Sequence, residues 1–87
     1  MKIICIKDMI RKDVPIYYRR LYTGVAVIEF NQVQSNIRID FSLETKPTGQ
    51  KEVTLSFIDK LDFPLVPLSK DLKQYILELD DAGGLPD

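Results

Sequence analysis

The stretch IRIDFSLETKPTGQKEVTLSF, residues 37–57, decides the fold. In it Ile37, Ile39, Phe41 and Leu43 alternate with Arg38, Asp40, Ser42 and Glu44. Alternation of period two with one apolar side describes a strand that turns one face to a core and the other to water. KPTGQ, 46–50, interrupts it. Its proline presets φ early in a turn, and its glycine offers positive φ late in the same turn. Beyond the turn Val53, Leu55 and Phe57 alternate with Glu52, Thr54 and Ser56. An antiparallel hairpin is expected, with strands over about 36–45 and 51–58.

Working toward the N-terminus, NQVQSN, 31–36, is expected to be a polar connection, and residues 16–30 a long extended segment. Its first half, PIYYRRLY at 15–22, is amphipathic, whereas VAVI at 25–28 is apolar on both sides. Such a strand overhangs the sheet at one end and runs through its middle at the other. Gly24 marks a bulge or a close approach by another element, or else "TG" turns the chain and makes two strands of one. KIICI, 2–6, is another run apolar on both faces, expected as a first strand over about 2–10. IRKDVP, 10–15, ends in proline and is expected to be a connection.

Toward the C-terminus, LDFPLVPL at 61–68 has two prolines three apart. It is expected to be an apolar loop lying against something. Ser69 suits a helix N-cap, with Asp71 close behind it. Leu72, Tyr75, Ile76 and Leu79 form one apolar stripe, and Gly83, Gly84 and Pro86 supply a stop, so a helix over about 69–82 is expected. The whole is a single α+β domain, 1–87: an antiparallel four-stranded meander followed by one C-terminal helix. One helix covers one face, yet KIICI and VAVI are apolar on two. The sheet curls strongly into a small barrel, the 61–68 segment folds over it, or a second subunit covers it.

Composition excludes several chemistries. Among 87 residues there is no histidine and one cysteine, Cys5. Triads, Cys–His pairs, the usual zinc clusters and an intrachain disulfide are therefore out of reach. No glycine-rich phosphate loop precedes a helix. No enzyme activity, cofactor or metal is expected. Asp59 with Asp62, and Glu78 with Asp80 and Asp81, are acidic groupings without a third ligand fixed by spacing, and the second is expected to sit in water at a fraying helix end. MKIICIKD is too short an apolar run for a signal peptide or a membrane span, so a cytoplasmic protein without a membrane role is expected. The net charge of −1 hides an asymmetry, +3 over residues 1–40 and −4 over 41–87. That imbalance can steer a partner or favour self-association.

The functional candidates follow from these patterns. On a strand, Tyr18, Arg20 and Tyr22 share one face, about 7 Å apart. Tyrosine and arginine in that spacing suit a protein interface, and together with the apolar residues Phe63, Leu65 and Val66 they are expected to form one contact surface. The expected role is a small protein-binding module or assembly subunit, a homodimer or a complex with another protein. The alternative is single-stranded nucleic acid, with bases stacked on the tyrosines and Arg20 at phosphate. An acidic pI near 5.3 weighs against that alternative.

Overall fold

The computed structural model describes residues 1–15, 17–62 and 64–86. Within them four strands and one helix follow in order: β1 (Lys2–Lys12), β2 (Arg19–Phe30), β3 (Val33–Thr45), β4 (Lys51–Phe57) and α1 (Leu65–Asp81). The strands form one antiparallel sheet in the order β1-β2-β3-β4, the expected meander, and the sheet is not closed into a barrel.

The hairpin that the alternation predicts is β3–β4, with Phe41 opposite Leu55 and Leu43 opposite Val53. Its loop is a tight turn closed by Gly49 N–H donating to the Lys46 carbonyl at 2.8 Å, with Gly49 at φ +88°. The preceding connection is shorter than expected. Four of the six residues of NQVQSN are strand: Phe30 pairs with Val33, and only Asn31 and Gln32 turn the chain, at φ +51° and +65°. Two consecutive positive φ values make the turn that matches strand twist in a two-residue hairpin.

β2 is one strand and is not divided at "TG". Gly24 is there for close approach, because a Cβ would sit 3.2 Å from both Ile6 Cγ2 and Met9 Cγ. The irregularity lies in the neighbour. The β1–β2 register shifts between Lys7 and Ile10, where Asp8 takes φ +54°, and again between Ile3 and Cys5. β1 thus runs on through Ile10, Arg11 and Lys12, where a connection was expected.

The helix begins four residues before the expected Ser69 cap. Pro64 is the N-cap and Pro67 lies in the first turn, where the missing N–H costs no intrahelical bond. Leu68 explains the early start. It sits one turn before Leu72 and is fully buried with Leu72 and Ile76, so the apolar stripe reaches back past Ser69. The helix thus takes in Leu65 to Leu68 of the segment expected as a loop. At the other end Gly83 N–H donates to the Asp80 carbonyl (3.0 Å) and Gly84 N–H to that of Leu79 (2.8 Å), with Gly83 at φ +72°. This is the Schellman stop that the paired glycines predict.

The helix approaches the two edge strands, β4 over more residues than β1, so the sheet curls around it. The core fills the trough. Tyr22, Ala26 and Ile28 of β2, Ile37, Ile39, Phe41 and Leu43 of β3, and Leu68, Leu72 and Ile76 of α1 belong to one cluster.

Candidate functional site

The register separates the two faces of the sheet. Ile6, Ala26 and Ile37 stand in one row toward the helix, as do Tyr22, Phe41 and Leu55. On the outer face the rows are Cys5–Val27–Asn36, Lys7–Val25–Arg38, Ile10–Thr23–Asp40–Ser56 and Lys12–Leu21–Ser42–Thr54. The β1–β2 half of that face is therefore apolar: Val27 is buried between its neighbours, Leu21, Val25 and the free thiol of Cys5 are half-buried, and Ile10 is 64% exposed. Among the described residues no helix or strand packs over it. Lys7 and Lys12 border the apolar half on β1, while Asp40, Glu44 and Glu52 carry acid on β3 and β4. Asp40 Oδ1 is enclosed without a hydrogen bond, the Lys12 ammonium standing 4.0 Å away.

The surface expected from Tyr18, Arg20, Tyr22, Phe63, Leu65 and Val66 is not assembled. Tyr22 is 1% exposed and stacks on its cross-strand neighbour Phe41, ring centroids 5.1 Å apart and planes 19° from parallel. Alternation puts Tyr22 on the core face because it continues Gly24, Ala26 and Ile28; counting inward from that apolar run would have found it. Arg20 is spent inside the molecule. Its guanidinium donates to Asp80 Oδ1 at 2.8 Å and to the Tyr22 hydroxyl at 3.3 Å. Tyr18 precedes β2 and lies in a turn, half exposed. Leu65 and Val66 are exposed on the first turn of α1, Val66 at 82%. They lie fifteen and fourteen residues upstream of Asp80, roughly 21–22 Å along the helix axis. The tyrosines and the apolar helix start therefore occupy opposite ends. Phe63 lies outside the described residues.

Asp80 does not fray into water, whereas Asp81 stays largely exposed as expected. Asp80 bridges Arg20 of β2 and Lys51 of β4, and Lys51 also reaches Asp81 at 3.3 Å. Burial pushes the Asp80 carboxyl upward, but the hydrogen bonds from Lys51 and Arg20 prevail and hold it below the ordinary carboxylate range. The same bonding to Asp80 raises Lys51. Two cations thus offset two acids placed unfavourably at a helix C-terminus. Asp59 also has a partner: Arg38 donates its backbone N–H (2.9 Å) and side-chain Nε (3.0 Å), which fastens the chain where it leaves β4. With Arg19 on Glu44 at 3.0 Å, these pairs join the basic N-terminal half to the acidic C-terminal half within one chain. Part of the charge asymmetry is thus spent within the chain.

A second exposed feature stands beside the Asp80 cluster. Thr45 N–H donates to the Tyr18 carbonyl at 2.9 Å, and the Tyr17 and Tyr18 rings meet edge to face with centroids 5.7 Å apart. Among the described residues no group of three His, Cys, Asp or Glu side chains is placed to hold a metal ion, and no helix is long and apolar enough to cross a membrane. Compared with known proteins, residues 1–81 match the BB-0187 family, whereas no curated protein and no solved structure matches.

Proposed function

The chain belongs to the BB-0187 family, and from that premise we propose that it is a small non-catalytic protein-contact module, a subunit of an assembly whose outer sheet face is closed by a second copy of itself. The observation that carries the reading is one-sided packing. The described helix lies on the inner face, and the outer face keeps an apolar row from Cys5 and Val27 through Val25 to Leu21, with Ile10 projecting beside it. Val27 is already buried within the chain, so what a second copy would cover is the half-buried Cys5, Leu21 and Val25 together with the exposed Ile10. The face also complements itself. Under a two-fold axis parallel to the strands, the β1 edge of one copy lies over the β4 edge of the other, bringing Lys7 and Lys12 toward the side that carries Asp40 and Glu52. The lone cysteine, without a disulfide, suits a reducing cytoplasm.

Light scattering at about 50 µM tests this reading. A mass twice the 10.0 kDa of the chain is expected, falling to the single-chain mass in Ile10→Asp. A wild-type chain of single mass that also fails to bind a hydrophobic dye would remove the proposal. Nucleic acid is not the preferred ligand, because the stacking platform it requires has lost Tyr22 to the core and Arg20 to Asp80.

A further inference from the structure

The two edges of the sheet are built differently. β1 is broken by two register shifts and carries Asp8 at φ +54°, and bulges of that kind keep a strand edge from pairing. β4 pairs with β3 without a shift from Lys51 to Phe57. Its free backbone groups follow from the bonds at its two ends. Lys46 N–H donates to the Gln50 carbonyl at 2.8 Å, and Ile58 N–H to the Arg38 carbonyl at 3.0 Å. Bonded and non-bonded pairs alternate along an antiparallel ladder. Glu52, Thr54 and Ser56 therefore turn N–H and C=O toward β3, while Val53, Leu55 and Phe57 turn theirs to the edge. Val53 is closed over at 6% exposure, which leaves Leu55 and Phe57, half-buried and packed on the core. An extended chain is what offers donors and acceptors at the repeat of these two residues, about 7 Å.

The surroundings define what that chain should carry. α1 runs antiparallel to β4, because Asp80 near its end bonds Lys51 at the start of β4. Its first turn therefore lies toward Phe57. There Ile58, Leu65 and Val66 are exposed, three large apolar side chains around the end of one strand edge. Farther along α1, Lys70 and Lys73 line one concavity with Leu65, Val66 and Ser69, and neither forms an ion pair among the described residues. Lys73 faces β4: the Glu52 carboxyl, held low chiefly by the hydrogen bond from Lys46, is lowered further by Lys73. We propose that an extended segment of another protein adds to β4 as an antiparallel fifth strand, with helix-facing side chains that are apolar opposite Leu55 and Phe57 and acidic toward Lys73. The inference rests on the protein-contact reading and names a partner class at a site away from the apolar outer row.

The test is titration of isotope-labelled protein with an eight-residue peptide, threonine at odd positions and two leucines followed by two glutamates at even ones. Amide hydrogen exchange at Leu55 and Phe57 should slow about tenfold or more. Thr54 and Ser56, already bonded to β3, should change little. Methylating the leucine nitrogens of the peptide should abolish binding, and methylating the threonine nitrogens should not. Lysines in place of the glutamates, Val66→Asp and Lys73→Glu should each weaken it about tenfold. Val66 and Lys73 are exposed, so both variants keep the fold. Absence of shifts at about 1 mM peptide, shifts without slowed exchange at Leu55 and Phe57, or equal binding of the leucine-methylated peptide would overturn the inference. Slow exchange at those two amides that strengthens with protein concentration, without peptide, would give the edge to a second copy and overturn it as well. A peptide that fails to bind while Ile10→Asp still lowers the mass removes this inference and leaves the contact reading intact.

Discussion

Both faces of β2 carry apolar side chains and are covered unequally. Ala26 and Ile28 are wholly buried under α1, while on alternate positions of the same strand Val27 is buried and Val25 and Leu21 are only half-covered by their neighbours. The position of one helix makes the difference. Burial stabilises a side chain only when other groups exclude water from it, so the inner face should carry the stability of the fold and the outer face very little. Leu72→Ala is the severest test. It empties a site with no solvent exposure and should cost about 2–5 kcal/mol by urea denaturation, a large share of what a domain of this size possesses. Val25→Ala should cost under about 1 kcal/mol at micromolar concentration. If the two variants lost equal stability, the outer face would be covered in solution. If the cost of Val25→Ala grew with protein concentration, a second copy would be what covers it.

The two ends of the helix sharpen the comparison. The first turn has neither a capping side chain nor an acidic residue, whereas the last turn is bolted to the sheet through Asp80. Asp80→Asn should cost about 1–3 kcal/mol, because Arg20 and Lys51 lose the charged acceptor they share. The pH dependence has a definite sign. A carboxyl whose folded pKa lies below its unfolded value contributes stability above that unfolded value, near 4, and loses it as pH falls through the folded value. Asp80, Glu52 and Asp59 are all lowered, Asp80 against its own burial and the other two chiefly by hydrogen bonds from Lys46 and Arg38. Wild-type stability should therefore drop below about pH 4. The drop should be shallower in Asp80→Asn, and an unchanged acid limb would show that the bridge contributes nothing.

Strands announce themselves by period, and so β3, β4 and the apolar half of β2 were legible wherever alternation was clean. The glycine-marked turn at 46–50 was legible too, but the Asn31–Gln32 turn and the long-range pairs were not. NQVQSN looks like a loop because five of its six residues are polar, yet the end of the β2–β3 hairpin faces water and is polar for that reason. The decisive feature is Asn31 followed by one more residue able to adopt positive φ, and Gln32 does so at a cost that glycine would not bear. Gln32→Gly should raise stability by about 1 kcal/mol. A loss would mean that the Gln32 side chain is worth more than the backbone relief. The helix start was hidden by Pro67, which reads as a breaker unless it falls in the first turn. The Arg20–Asp80 bridge spans sixty residues, and no local pattern can reveal it. Its cost to the sequence reading was high, because it removed the very arginine that made PIYYRRLY look like a contact surface.

The smallest expected effect bears most directly on the difference between the faces. Ile10→Ser replaces a side chain 64% exposed on the outer face, opposite Thr23 at the sheet edge. Little apolar area returns to water in the isolated chain, so its unfolding free energy should move by less than about 0.5 kcal/mol. Serine remains compatible with an edge strand, and the β1 bulge at Asp8 lies outside the substitution. In a self-associated state the same isoleucine is buried, and its loss should shift the mass toward the single chain at a concentration where wild type remains paired. Comparing the variant at about 1 µM and at about 100 µM separates the two contributions, because folding within a chain does not depend on concentration and association does. A stability loss of about 2 kcal/mol or more at the lower concentration would mean that Ile10 belongs to the core, and the division of the sheet into a covered and an uncovered face would fall with it.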